Sequence, residues 1–190
     1  PKHIAEILKM ENKSIWVGRV RKLLGLVNYT TGILSKLRIH EENAMEKLSL
    51  CAYRPEYITE ILKMENNSID LGKVKRLELY GYTIEILPKF KLHRENELEE
   101  LVLSSKLLEE YTPEILKMEN NSIWVGRVKM LELRHYAVGI LPKLKLHREN
   151  AMEKLLLEAS CSGHIAGMLK MKDKSIWIGK VKEINITGCS

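Results

Sequence analysis

Along this chain one short arrangement keeps returning: apolar, two variable residues, apolar, one variable residue, apolar. It reads Val74-Lys75-Arg76-Leu77-Glu78-Leu79, then Val128-Lys129-Met130-Leu131-Glu132-Leu133, then Val181-Lys182-Glu183-Ile184-Asn185-Ile186. A second series lies between these copies, at 45–50, 98–103 and 152–157. Alternation of this kind predicts β-strands. Taking Leu24, Leu48, Leu77, Leu101, Leu131, Leu155 and Ile184 as the first residue of each closing apolar pair predicts seven strands, 24, 29, 24, 30, 24 and 29 residues apart. Two unit lengths therefore alternate.

Between the strands the spacing changes. Ile58, Ile61 and Leu62 sit at i, i+3 and i+4, which predicts a helix with one buried face in the long unit. Thr112-Pro113 before Glu114-Ile115-Leu116 has the form of an N-cap followed by proline at the first helical position. In the short unit Ile84, Ile86 and Leu87 precede Pro88, which predicts a single turn or irregular segment. Crossovers this short imply parallel strands, because a tight hairpin joins only antiparallel ones.

The whole unit repeats. Residues 6–12 return at 60–66 and 114–120, and loosely at 167–173, so the starts lie 54, 54 and 53 residues apart. Ser14-Ile15-Trp16-Val17-Gly18 returns from Ser68, Ser122 and Ser175, with Asp70 in place of tryptophan in the second copy. His40, His93 and His147 recur together with Asn43, Asn96 and Asn150. The residue after the first apolar position runs Glu46, Lys75, Glu99, Lys129, Glu153, Lys182. Stacked in register, each Glu would stand beside a Lys, and a shift by one unit would bring like charges together.

With Leu77-Glu78-Leu79-Tyr80-Gly81-Tyr82 and the following Ile86-Leu87, the chain resembles the leucine-rich repeat family. The two alternating unit lengths resemble its ribonuclease-inhibitor-like subclass. The resemblance covers essentially the whole chain. It implies an α/β solenoid: a curved parallel sheet of about seven strands, with helices or helical turns on the convex side. The family carries Asn or Cys three residues after the second Leu, whereas here those positions hold Tyr29, Tyr53, Tyr82, Lys106, Tyr136, Ser160 and Cys189. The departure implies differently bonded turns. Leu23-Leu24-Gly25-Leu26 suggests a bulged first strand.

Composition changes this picture little. With 45% hydrophobic and 29% charged residues the chain is ordinary for a soluble domain, and no apolar run is long enough for a membrane span. Pro1 falls at a helix start and Ser190 just after a strand, without polar capping units at either end. The expectation is one array over 1–190, excerpted from a longer solenoid. Cys51, Cys161 and Cys189 lack CxxC spacing and read as reduced thiols of an intracellular, cytoplasmic protein, with a Cys161–Cys189 bridge left open.

No nucleotide-binding, metalloprotease or nucleophile-elbow motif occurs, so the chain reads as non-enzymatic, without metal or cofactor. His40, His93 and His147 would lie about 10 Å apart at two strands' spacing, too far to share one ion, and read as a repeated structural polar position. Trp16, Trp124 and Trp177 read as core or loop packing, re-entering the core through the return loop. Met10, Met64 and Met118 read as core filler, and Asp70 as the mark of a looser loop.

Arg19/Arg21, Lys73/Lys75, Arg127/Lys129 and Lys180/Lys182 form a basic rim within a chain of net charge +6, but glutamates interleave with it. The resemblance implies instead that the outward strand positions form a concave binding face: Arg76, Glu78, Tyr80, Glu100, Val102, Met130, Glu132, Arg134, His135, Lys154, Leu156 and Glu158. These differ between copies far more than the return loops do. The expected function is a non-catalytic scaffold for a protein partner, anchored by Tyr80, Met130, Arg134, His135 and Leu156. Polyanion or ribonucleoprotein binding through the rim, and a structural spacer, are the alternatives.

Overall fold

The computed structural model describes residues 2–106, 113–172 and 175–188. Thr112, Cys189 and the terminal residues Pro1 and Ser190 lie outside this range, and with them the Thr112 cap and the Cys161–Cys189 bridge. Cys51 and Cys161 are free thiols.

In chain order the strands are β1 (Ile15–Gly18), β2 (Leu23–Val27), β3 (Leu37–Ile39), β4 (Ala44–Ala52), β5 (Ile69–Asp70), β6 (Lys73–Gly81), β7 (Phe90–Lys91), β8 (Glu97–Ser105), β9 (Ile123–His135), β10 (Leu144–Leu146), β11 (Ala151–Ala159) and β12 (Lys180–Gly188). One large open sheet runs β2-β4-β6-β8-β9-β11-β12, every neighbour parallel, with β10 attached to the first part of β9. Spatial order follows chain order. The return segments pair as well, β1 with β3 and β5 with β7. The molecule is therefore α/β, with a large parallel sheet and little helix.

The repeated template explains the strands. In β4, Met45, Leu48 and Leu50 are buried, while Glu46 and Lys47 both face outward between Met45 and Leu48. Strict alternation begins only after that doublet, which is why two variable residues precede the closing pair. The same doublet occupies every later rung at the same register, as Lys75-Arg76 beside Glu46-Lys47 shows. The first strand is not bulged: Leu23 to Val27 pair one-to-one with Lys47 to Cys51, and Gly25 takes an outward slot.

Beneath the inward face lie short helical segments. The long unit has a 3-10 turn at Pro55–Ile58 running into α-helical Thr59–Leu62. Ile58 and Ile61 reach the core, whereas Leu62 is left at the surface. The third copy keeps only a 3-10 turn, Glu114–Lys117, and Pro113 precedes it instead of occupying its first position. In the short unit 3-10 runs span Asn28–Lys36, Tyr82–Lys89 and Tyr136–Lys143. They are longer than the single turn expected, and tight 3-10 winding tolerates Pro88 and Pro142 near their ends. Ile84, Ile86 and Ile140 pack with Leu77, Leu101 and Leu131 in one continuous core.

The return edge corrects two expectations. Alternation there buries Ile123 and Val125 and turns Trp124 outward, as it buries Ile69 and Leu71 and turns Asp70 outward. Trp16 and Trp177 are 57% and 48% exposed and stay out of the core, whereas Trp124 is half-buried against it. Nor is the Asp70 loop loose, since its carboxylate accepts the Gly72 N–H at 3.0 Å and pairs with Lys91 at 2.9 Å. Met10 is exposed, while Met64 and Met118 are half-buried against the core.

Between return edge and sheet the chain turns a corner, and there the three asparagines stand buried. Oδ1 of Asn43, Asn96 and Asn150 accepts the N–H of Val20, Val74 and Val128 on the preceding rung, at 2.7, 2.9 and 2.8 Å. Asn43 Nδ2 donates to the Leu71 carbonyl at 3.0 Å and Asn96 Nδ2 to the Val74 carbonyl at 3.1 Å, whereas Asn150 Nδ2 has no partner among the described residues. Removing a buried partner strands the group it served, at about 1–3 kcal/mol for each. In urea unfolding, Asn96→Ala should lose about 2–4 kcal/mol and Asn150→Ala about half as much. Equal, small losses would show that the corners carry no such bonding.

Candidate functional site

Parallel register turns the outward residues of the sheet into a grid. One row runs Lys47, Arg76, Glu100, Met130, Lys154, Glu183; the next Ser49, Glu78, Val102, Glu132, Leu156, Asn185; the third Cys51, Tyr80, Ser104, Arg134, Glu158, Thr187. Rungs lie about 4.8 Å apart and successive same-face residues about 6.7 Å apart. All the predicted surface residues except His135 stand on this grid.

Charges on the grid are mostly engaged with each other. Glu78 pairs with Lys47 at 2.5 Å and accepts hydrogen bonds from the Ser49 and Tyr80 hydroxyls at 3.1 and 3.3 Å. Arg134 bridges Glu132 at 2.5 Å and Glu158 at 3.4 Å, Lys154 meets Glu183 at 3.2 Å, and Arg76 meets Glu99 at 3.8 Å. Burial, with Glu78 next and then Glu132 and Glu100, pushes the Tyr80 phenol up to about 12, so it stays protonated and donating. Among the apolar members, Met130 is 37% exposed and Leu156 half-buried. Val102, expected at the surface, is only 6% exposed, because its register neighbours Glu78 and Glu132 stand on either side of it.

His135 lies elsewhere. It follows Leu133 by two residues and therefore shares the inward side, where it is buried. Its backbone has φ 56° and ψ −130°, the conformation that Gly81 adopts at the same place in β6 with φ 65° and ψ −131°. A non-glycine residue here is strained and needs its surroundings to hold it. Its Nδ1 shares a short hydrogen bond with the Ser160 hydroxyl, and its ring stands edge-on to His164 at 6.0 Å. The Ser160 N–H donates to His164 Nδ1 at 3.1 Å, and Tyr136 packs on His164 at 4.3 Å. The missed signal was parity: the residue after the closing apolar pair is outward, but the next is not.

The repeated histidines hold their loops. Nδ1 of His40, His93 and His147 accepts the N–H of Glu42, Glu95 and Glu149 at 3.1, 3.2 and 3.1 Å. Among the described residues no group of three or more His, Cys, Asp or Glu is placed to hold a metal ion. No described helix is long and apolar enough to cross a membrane. Along the basic rim, Arg19 pairs with Glu42, Lys75 with Glu46 and Glu99, Arg127 with Glu149, and Lys129 with Glu97. That pairing cancels much of the rim's field. No family model matches the chain, and no curated protein or solved structure matches it either.

Burial lowers the proton affinity of both His135 and His164; Lys106 and Arg134 push His135 further down against Glu158, and His135 pushes down His164. The unfolded chain then takes up more protons as pH falls through the ordinary histidine value of about 6.5. Stability is full above that value and declines below it, towards the lowered folded values. Urea midpoints should fall between about pH 7 and pH 5.5, and a His135→Gln/His164→Gln variant should show a flatter slope. A wild-type midpoint constant over that range would contradict the burial of these imidazoles.

Proposed function

We propose that the chain is a leucine-rich-repeat-like solenoid acting as a non-catalytic scaffold, with a protein partner docked on the outward grid of the large sheet. The curvature usual in such arrays would make this face concave. One observation carries the reading: Met130 and Leu156, one rung and one row apart, form a small accessible apolar centre bordered in register by Glu100, Glu132, Lys154, Arg134 and Glu158, with Tyr80 as a second, partly exposed anchor across Val102 and Ser104. An apolar middle with a charged border is the anatomy of protein interfaces, and the charges there are already held in fixed geometry. The inward face, by contrast, is filled by core.

Size refines the proposal. Seven rungs and three rows span about 29 Å by about 13 Å, roughly 400 Å², while a stable interface covers about 800 Å² per partner. The partner therefore also rests on the loops beyond the strands, where Tyr53 is 71% exposed. His135 drops out as an anchor, leaving Tyr80, Met130, Arg134 and Leu156.

The test uses the chain as bait in a cell lysate, after nuclease treatment and at raised salt. A partner on the grid stays bound under both, and Met130→Ala/Arg134→Ala weakens it by roughly 2 kcal/mol or more, about thirtyfold. Unfolding of that variant should stay within about 1 kcal/mol of wild type, since the Arg134 pairs are partly exposed. Capture of the same protein with undiminished affinity would place the interface elsewhere.

A further inference from the structure

On the return edge the outward residues form a second ladder. Trp16 pairs with Arg38, Asp70 with Lys91 and Trp124 with Lys145. Indoles and basic side chains thus alternate along one line, interrupted at Asp70, with Trp16 exposed and Trp124 half-buried. In the first copy the arrangement is self-filled: the Arg38 guanidinium stacks over Trp16 at 5.3 Å. In the third copy Lys145 replaces the planar guanidinium, and the space is open. A pocket of about 380 Å³ lies there, lined by Trp124, Lys145, Leu146, His147, Arg148 and Trp177. The depression is shallow and open to solvent, so a ligand there lies against the surface and is not enclosed.

Among the described residues no acidic one lines the pocket. Lys145 and Arg148 are in no ion pair with any described residue; the Trp124 indole N–H is turned into the protein, buried and without a partner among the described residues. His147 meets Trp124 edge-on at 6.3 Å, which fixes that indole. Two rungs separate Trp124 from Trp177, about 10 Å, which is too wide for one ring sandwiched between both. A flat group stacks on one indole and leaves its charge to the two cations. Of the two, Trp177 has the more accessible ring.

We propose that this pocket stacks an unpaired nucleobase on Trp177 while Lys145 and Arg148 meet its phosphates, so that the return edge binds single-stranded nucleic acid. Aromatic faces accept any base, and cations beside them follow the backbone, so binding is tolerant of sequence. The exposed Arg94 one repeat back continues the positive line past Lys91, which Asp70 neutralises. A polymer uses such a line where a mononucleotide does not. This site is separate from the protein-binding grid, and neither depends on the other.

Fluorescence anisotropy with a labelled oligothymidylate tests it on the intact chain. Binding should quench tryptophan emission, and Trp177→Leu, which keeps apolar bulk without the ring, should loosen it by about five- to hundredfold. Trp177→Phe should retain most of the affinity. Lys145→Glu/Arg148→Glu should loosen binding and flatten its dependence on salt. An abasic oligomer of the same length, and thymidine monophosphate, should both bind weakly. Equal affinity for the abasic oligomer, an unchanged Trp177→Leu variant, or no binding of the oligothymidylate would each overturn the proposal.

Discussion

Each corner of the fold places an asparagine against a glycine. Register puts Asn43 beside Gly72, Asn96 beside Gly126 and Asn150 beside Gly179. The glycines have φ of 67°, 74° and 78°, and a Cβ on them would lie 2.3, 3.0 and 2.5 Å from the facing asparagine carbonyl oxygen. The asparagine reaches back to a valine N–H on the rung before, and the carbonyls of Asn43 and Asn150 accept the N–H of Lys73 and Lys180 on the rung after. Three rungs are thereby tied at one point. An asparagine on both sides of a corner would bring a Cβ into the opposing carbonyl, so two unit types have to alternate.

That constraint outweighs the charge ladder. Lys75 does stand between Glu46 and Glu99, at 3.8 Å from each. Beyond it the alternation is looser, and Lys129 turns to Glu97. These groups are largely exposed, and pairs of that kind contribute little. The buried corner bonds and the stacked leucines set the register, and the charges conform to it. With spacing held from beneath, outward residues are free to vary. The two proposed surfaces use that freedom differently, one as a grid on the sheet, the other as an indole and cation line on the return edge.

The seven long rungs, their parallel order and the inward leucines were legible because a period of two repeats seven times; the five described short return-edge strands, two to four residues each, are too brief to show a period. Charge signs on neighbouring rungs were legible for the same reason. The 3-10 runs were not, since an apolar spacing of two or three residues before Pro88 fits a turn as well as a tight helix. The tryptophans divide: Trp16 and Trp177 are exposed, while Trp124, although it sits between two inward residues, lies half-buried against the core. His135 failed on parity. The corner ladder was within reach, because Asn43, Asn96 and Asn150 occupy the place that Gly18, Gly72, Gly126 and Gly179 hold in the other unit. Set side by side as separate repeats, the asparagines looked like companions of the histidines; only in alternation do they meet the glycines.

The corner account meets its most direct test in two glycine substitutions compared by urea unfolding. Gly72 has positive φ and faces the Asn43 carbonyl, whereas a Cβ on Gly25 would meet nothing within 4 Å. Gly72→Ala should lose at least about 2 kcal/mol, while Gly25→Ala should be unchanged or more stable by about 0.5 kcal/mol. A Gly72→Ala protein as stable as wild type would contradict the claim that these corners impose the alternation.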